Sequence, residues 1–222
     1  MKRHLTTLLA GLGLLAAGCT KDNIKPPTSQ LSGRITYQNQ ALNVRGGGSV
    51  QLELWQRGEF FRNKIPVYVA QDGSYSATLF DGDYKLTRLR DNGPWVNNTD
   101  SITVQVRGNT VVDVPVQPYF TIGTTTIAKS GTNVTASVQV SKVGSRNLDG
   151  VVLYLGYTQF VDVSNQTAAT TKAGADITDL TKPISLTTGI PSAAKGLLYA
   201  RVGVRIQGVN ELIYSPVQQI AL

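Results

Sequence analysis

The chain has 222 residues, with 21 lysines and arginines against 14 acidic residues, and a formal net charge of +7. Its one histidine, His4, and its one cysteine, Cys19, both lie near the N-terminus, so the rest of the chain cannot supply a Ser-His-Asp, Cys-His or His-ligated zinc site. The basic residues are scattered singly rather than gathered into the stripe typical of nucleic-acid binding. We therefore expect no enzymatic activity, no metal, no cofactor and no nucleic-acid partner.

Residues 1–18 have the pattern of a secretion signal. Lys2 and Arg3 precede an apolar run at residues 5–17, which is too short to remain as a membrane-spanning helix. Residues 15–19, Leu-Ala-Ala-Gly-Cys, resemble a bacterial lipobox, in which the signal is cut before the cysteine and the cysteine receives acyl chains. This resemblance implies lipidation of Cys19; an ordinary signal peptide with an incidental cysteine is the alternative.

Residues 19–30 are polar and contain two adjacent prolines, which is typical of an extended tether between a membrane anchor and a folded domain. The Lys-Asp pair at residues 21–22 resembles the short acidic signals that send some Bacteroidetes lipoproteins to the outer face of the outer membrane. We expect a lipid-anchored outer-membrane protein that faces the cell exterior, with a periplasm-facing anchor as the alternative.

Residues 31–118 consist of short stretches in which apolar and polar residues alternate, separated by turn residues such as Asp72-Gly73 and Gly108-Asn109. A period of two is typical of a strand with one buried face. The predicted strands cover residues 31–37, 50–55, 65–69, 75–79, 84–89, 102–106 and 110–116. Seven short strands at this spacing favour an antiparallel sandwich.

Residues 119–222 predict a second all-β unit. Its candidate strands cover residues 134–140, 151–156, 197–206 and 212–222, and residues 167–188 are predicted to form a long polar loop with one helical turn. The predicted fold class is therefore all-β, with two tandem antiparallel β-sandwich domains after the signal and tether.

Two domain types are similar to these units. Residues 31–35 (LSGRI), 41–42, 50–55, 71–76 (QDGSYS) and 81–86 (DGDYKL) resemble, in order, the carboxypeptidase-regulatory-like, or transthyretin-like, domain. Residues 199–204 (YARVGV) and 213–216 (IYSP) resemble late strands of a fibronectin type III or similar immunoglobulin-like sandwich. The resemblance implies these two folds in this order and says nothing about catalysis.

The chain as a whole resembles a family of two-domain Bacteroidetes lipoproteins of unassigned function, whose genes often lie beside SusC/SusD-type glycan-uptake pairs. The likeness is carried by residues 51–55 (QLELW), 64–69 (KIPVYV), 80–86 (FDGDYKL) and 92–96 (NGPWV). It implies a non-catalytic accessory protein at the cell surface. The implied partners are a polysaccharide or oligosaccharide and a SusC/SusD-type uptake complex.

The loop at residues 91–100 is one candidate binding site. It presents Trp95 on a Gly-Pro turn, with the amides of Asn92, Asn97 and Asn98 nearby. An aromatic face can stack on the C–H side of a sugar ring, while amides exchange hydrogen bonds with its hydroxyls. The alternative is that Trp95 folds back and caps the end of the sandwich.

Trp55 and Tyr68 form a second candidate. Trp55 is out of phase with Leu52 and Leu54, and Tyr68 is out of phase with Val67, so both should point away from the core. If the two strands are neighbours, the rings could form an aromatic platform for a sugar; packing on the second domain or on a partner protein is the alternative.

Together these features favour an accessory binding or interaction module of a glycan-uptake system, without turnover. A structural spacer or adhesion-type assembly component is one alternative. A glycoside hydrolase with a carboxylate pair is another, and it needs two carboxylates facing each other across a cleft.

Overall fold

The computed structural model of the protein describes residues 25–56 and 64–222. The predicted signal, the candidate lipidation site Cys19 and the start of the tether lie outside the described residues. Within the described residues there are 17 strands and one 3-10 helix, and no helix is long and apolar enough to cross a membrane.

The N-terminal half contains nine strands. They are β1 (Ser29–Tyr37), β2 (Gln40–Ala41), β3 (Gln51–Gln56), β4 (Lys64–Tyr68), β5 (Ser74–Leu79), β6 (Gly82–Arg88), β7 (Ile102–Val106), β8 (Asn109–Val111) and β9 (Val114–Pro115). Two sheets result, one in the order β4-β3-β6-β7 and the other built on β2-β1-β5, with β8 and β9 added to β1.

The two sheets of this half pack through the residues that alternation predicts to be buried. Leu52 and Leu54 of β3 are fully buried, as are Leu31 and Ile35 of β1. Successive side chains in a strand point to opposite faces, so the residues between them face outward. The alternation therefore leaves one broad outer face on the β4-β3-β6-β7 sheet.

Strand β1 is the hub of its sheet. It pairs antiparallel with β2 and β5, and parallel with β8 and β9. The predicted strand over residues 110–116 is divided into β8 and β9, because the chain departs from the ladder between them. There the carbonyl of Val112 lies so close to Gly33 that a Cβ at position 33 would be 1.8 Å from it.

The C-terminal half contains the other eight strands and the 3-10 helix (Gly174–Asp176). The strands are β10 (Phe120–Ser130), β11 (Asn133–Lys142), β12 (Leu148–Gly156), β13 (Ala168–Ala173), β14 (Ile184–Gly189), β15 (Leu197–Ile206), β16 (Ile213–Tyr214) and β17 (Gln218–Ala221). One sheet has the order β10-β11-β14, and the other is β13-β12-β15-β16 with β17 added to β15.

The prediction of a long loop over residues 167–188 is wrong, because this segment contains β13 and β14. Strand β13 lies at the edge of its sheet and is made of small and polar residues, so no apolar alternation marks it. Strand β14 does alternate, with Ile184, Leu186 and Thr188 buried, but it is short. The predicted helical turn corresponds to the 3-10 helix.

The tight turn at Asp72-Gly73 packs closely against the main chain at Leu42, and a substitution at Gly73 tests this contact. Gly73 has φ +82°, and a Cβ there would lie 2.3 Å from the carbonyl oxygen of Leu42. We expect Gly73→Ala to lower the free energy of unfolding by about 1 kcal/mol for the left-handed backbone and by a further 1–3 kcal/mol, roughly, for the clash. Urea denaturation measures the change.

Gly108→Ala is the matched control, because Gly108 also has positive φ but has no described atom within 4 Å of its Cβ position. It should show only the backbone cost of about 1 kcal/mol. Equal losses in the two variants would contradict the close approach of Leu42.

Candidate functional site

Trp95 packs into the core and is 4% exposed. Its segment pairs with the end of the first half: Trp95 bridges Pro118, and the amide of Val96 donates to the carbonyl of Gln117. Gly93 lies against the indole, where a Cβ would be 2.2 Å from ring atoms. Trp95 thus folds back and caps the end of the sandwich. Its ring offers no open face to a ligand in this conformation.

The three amides of the loop are engaged in local hydrogen bonds. Asn92 accepts from the Gln51 amide (2.6 Å) and donates to the Ser49 carbonyl (2.8 Å), which fastens the loop to the start of β3. Asn97 exchanges two hydrogen bonds with Asp91, and Asn98 accepts from the Asp100 amide. The bonds of Asn97 and Asn98 stay within the loop, whereas Asn92 bonds to the main chain of Gln51, the residue opposite Tyr68.

Trp55 lies on the outer face of the β4-β3-β6-β7 sheet, as its phase predicts. It is half-buried, between the fully buried Leu54 and the exposed Gln56. The register places Lys64 of β4 on one side of it and Lys85 of β6 on the other, with Thr103 of β7 next to Lys85. Residues opposite each other in adjacent strands share a face, so these side chains form one row across the sheet.

A groove of about 700 Å³ surrounds the exposed part of Trp55. The indole Nε1 donates to Thr87 Oγ1 at 3.2 Å, which fixes the orientation of the ring on the sheet. The groove is lined by Trp55, Gln56, Asp83, Tyr84, Lys85, Thr103 and Gln105. It therefore combines one aromatic face with amide, hydroxyl, carboxylate and ammonium groups.

Two polar pairs flank the same face. Lys64 Nζ and Glu53 Oε1 are 2.6 Å apart, and the side-chain amide of Gln105 donates to the Asp83 carboxylate at 3.3 Å. Lys64 is half exposed whereas Glu53 is 15% exposed, and the pair between Gln105 and Asp83 lies at the surface. Their donors and acceptors remain available to exchange bonds with a ligand.

Tyr68 shares this face but stands apart from Trp55. It is 56% exposed, and it lies opposite Gln51, four residues along β3 from Trp55. At the usual strand rise this is roughly 13 Å along the sheet. β3 and β4 are neighbours as the platform hypothesis requires, but the two rings are separate contact points and not one continuous surface.

A second structural centre joins the two halves of the chain. Arg201 of β15 is 1% exposed, and its guanidinium donates to three backbone carbonyls, those of Ser215, Val44 and Gln71, at 2.8–3.0 Å. Two of these carbonyls belong to the N-terminal half. The Arg201 guanidinium also lies over the Tyr214 ring, 4.3 Å from its centroid. Burial lowers the pKa of Arg201 to about 10.

Further contacts at this junction surround Arg201. The Tyr214 amide donates to the Asn43 carbonyl at 3.0 Å, which joins the halves through the backbone. Arg45 donates to Glu211 at 2.5 Å and to Ser164 at 3.0 Å. Burial raises the pKa of Glu211 even though Arg45 favours its charged form. These groups tie residues 43–45 of the first half to two segments of the second, the loop at Ser164 and residues 211–214.

Sequence analysis missed the polar partners of Trp55 and the junction arginine. Asp83 and Lys85 are out of phase with the buried Tyr84 and Leu86, so the alternation that placed Trp55 could have placed them as well. Arg201 is a charge in the middle of the apolar stretch at residues 197–206, which was the available signal.

We expect Arg201→Met to lower the free energy of unfolding by at least about 2 kcal/mol, because three buried carbonyls lose a charged donor. Arg205→Met on the same strand is the control, since Arg205 is half exposed in its pair with Asp149 and should contribute less than about 1 kcal/mol. Chemical denaturation measures both variants. Equal losses would show that the Arg201 bonds do not hold the junction together.

The crystal structures to which the chain is similar include three from Bacteroides and Parabacteroides species. It is 38% identical to a DUF3823 family protein of Bacteroides ovatus (TM-score 0.81; 87% of this chain and 99% of that chain covered). It is 40% identical to one of Parabacteroides merdae (TM-score 0.80; 88% and 100%). It is also 18% identical to a candidate carbohydrate-binding protein of Bacteroides uniformis (TM-score 0.71; 88% and 100%), a likeness of fold. No curated protein matches the chain.

Two family models match consecutive parts of the sequence. The N-terminal domain of a protein of unknown function, DUF3823, matches residues 29–117, and the domain of unknown function DUF3823_C matches residues 120–219. The first match begins and ends within a residue or two of the strands β1 to β9, and the second covers nearly all of β10 to β17. The chain therefore belongs to the DUF3823 family, with its all-β, two-domain architecture.

Proposed function

We propose that this protein is a non-catalytic carbohydrate-binding module that uses the outer face of the β4-β3-β6-β7 sheet. The observation that supports this most directly is the groove around Trp55, where an oriented indole is bordered by Lys85, Asp83, Thr103 and Gln105. A sugar ring has an apolar C–H face and a rim of hydroxyls, and it needs an aromatic surface and polar neighbours in this arrangement.

The absence of turnover is part of the proposal. Among the described residues that line this groove, Asp83 is the one carboxylate, whereas a glycoside hydrolase of the carboxylate-pair type needs two across the scissile bond. Glu53, on the same face, is paired with Lys64. The likeness to the candidate carbohydrate-binding protein of Bacteroides uniformis is compatible with binding and adds no residue to the site.

The proposed setting is the outer membrane. The lipobox resemblance at residues 15–19 supports a lipid anchor on Cys19, and the tether that follows would hold the first domain away from the bilayer. We also propose that the protein serves a SusC/SusD-type glycan-uptake complex, by presenting a glycan at the cell surface.

We expect Trp55→Ala to lower the affinity for the best-binding polysaccharide of a screening panel by about tenfold or more, because the stacking face is lost. Affinity electrophoresis and isothermal titration calorimetry measure this change. Trp55→Phe keeps an aromatic face and should retain most of the affinity. Val111→Ala, which removes an exposed apolar side chain outside this sheet, should bind like the wild type.

Two results would contradict the proposal. Binding to no polysaccharide in the panel would favour the structural-spacer alternative, to which the bonded domain junction is suited. Release of reducing sugar from the bound polysaccharide, abolished by Asp83→Asn, would show that the groove is catalytic.

The lipid anchor is tested separately in bacterial cells. We expect the wild-type protein to fractionate with the outer membrane and its N-terminal peptide to carry acyl chains by mass spectrometry, whereas Cys19→Ser should be released into the soluble fraction. Thr20→Ser is the control and should stay anchored. An unmodified Cys19 thiol on the wild-type protein would rule out the anchor.

A further inference from the structure

We propose that the binding surface extends from Trp55 past Tyr68 into the cleft between the two domains, so that it takes an extended oligosaccharide rather than a single sugar. This inference rests on the proposed carbohydrate-binding function and specifies its ligand. It is carried by three aromatic rings, the half-buried Trp55 and the exposed Tyr68 and Phe160, with hydrogen-bonding groups between them.

The first step leads from the sheet to the glycine loop at residues 46–48. Tyr68 packs over this loop, since a Cβ at Gly48 would lie 3.2 Å from its ring. Gln51, which is opposite Tyr68 in the register, donates to the Gly48 carbonyl at 3.1 Å. The end of the sheet that carries Tyr68 is thus bonded directly to the glycine loop.

The second step leads from the glycine loop into a cleft of about 430 Å³. One wall is formed by Arg45, Gly46, Gly47 and Ser49 of the first domain. Gly47 has φ +70° and no described atom within 4 Å of its Cβ position, so at Gly47 the wall is bare backbone facing open space. Such a wall lets a ligand approach the main chain closely.

The opposite wall belongs to the loop after β12 in the second domain and carries Phe160, which is 55% exposed. This loop is held in place internally. Asp162 accepts from the amides of Ser164 and Asn165 at 2.8 and 3.0 Å, and the Asn165 side chain donates to the Phe160 carbonyl at 3.0 Å. Phe160 is therefore held exposed on an internally bonded loop, where its ring is accessible to a ligand in the cleft.

The two walls are joined at the base of the cleft by Arg45, which donates to Ser164 and to Glu211. Ligand sites occur preferentially at such domain boundaries. The hydrogen bonds of Arg45 and of the buried Arg201 keep the separation between the walls constant, so the cleft exists before a ligand arrives.

The pattern fits a glycan chain better than a protein partner. The aromatic rings of Trp55, Tyr68 and Phe160 are spaced apart, and between them lie a Lys-Glu pair, the glycine backbone and the arginine of the cleft. A protein interface would have a desolvated apolar centre inside a polar rim. Alternating rings and hydrogen-bonding groups match a chain of linked sugars, each with an apolar face and a hydroxyl edge.

The test uses size-fractionated oligosaccharides, from disaccharide to octasaccharide, prepared from the polysaccharide that binds best in the screening panel. We expect the wild-type affinity to rise with chain length and then level off. Phe160→Ala should lower the affinity for the longest fraction by about tenfold and leave the affinity for the shortest fraction unchanged. Trp55→Ala should lower both, and Tyr68→Ala should act only from an intermediate length onward.

Phe80→Ala is the matched control, because Phe80 is 47% exposed and does not line the groove at Trp55 or the interdomain cleft. It should bind every fraction like the wild type. Circular dichroism and denaturation midpoints confirm that each variant is folded.

The outcomes separate this inference from the function on which it rests. If Trp55→Ala weakens binding but Phe160→Ala has no effect on any fraction, the extension into the cleft is wrong and the proposed function stands. If wild-type affinity does not depend on chain length, the extension is likewise wrong. If no fraction binds the wild-type protein, both proposals fail together.

Discussion

One buried guanidinium fixes how the two domains are placed. Among the residues that the structure describes, no carboxylate is bonded to Arg201, and the cost of removing its charge from water is offset by three backbone carbonyls and the face of Tyr214. Carbonyl acceptors that belong to different chain segments can be satisfied together only in one arrangement. The charge thus gives the junction a single geometry, whereas apolar packing alone would tolerate sliding.

The two candidate binding regions depend on this geometry to different degrees. The groove around Trp55 is built by three strands of one sheet and would exist in the first domain alone. The cleft at Phe160 has one wall in each domain, so it exists only while Arg201 and Arg45 hold the domains together. Placing two domains side by side can therefore make a binding surface longer without deepening a pocket in either sandwich.

Alternation was sufficient to predict much of the fold and part of the site. It identified the buried face of β3 and the outward direction of Trp55 and Tyr68, because a strand with one buried face imposes a period of two on the sequence. It could not place Trp95, since the side chain of a loop residue follows from tertiary pairing, here with Pro118. It also missed β13, whose edge position demands no apolar residues.

The junction was beyond sequence reasoning for a different reason. An arginine among apolar residues signals a buried charge, but its partners are main-chain carbonyls, and any residue type can supply a carbonyl. Val44 and Gln71 therefore leave no trace in the sequence as partners of Arg201. The glycine wall of the cleft could not be predicted from the sequence either. It forms part of a cleft only because Phe160, which is distant in the chain, lies opposite it.

The central place of β1 in its sheet bears on how the first domain folds. Its parallel partners β8 and β9 come from the far end of the domain; Gln30 of β1, for example, is in register with Asn109 of β8, which is 79 residues later in the chain. Closing such a long loop costs chain entropy before the new contacts compensate for it. The pairing of β1 can thus be completed only after β8 and β9 have been synthesised, so we expect the first domain to fold cooperatively and only once nearly all of it is present.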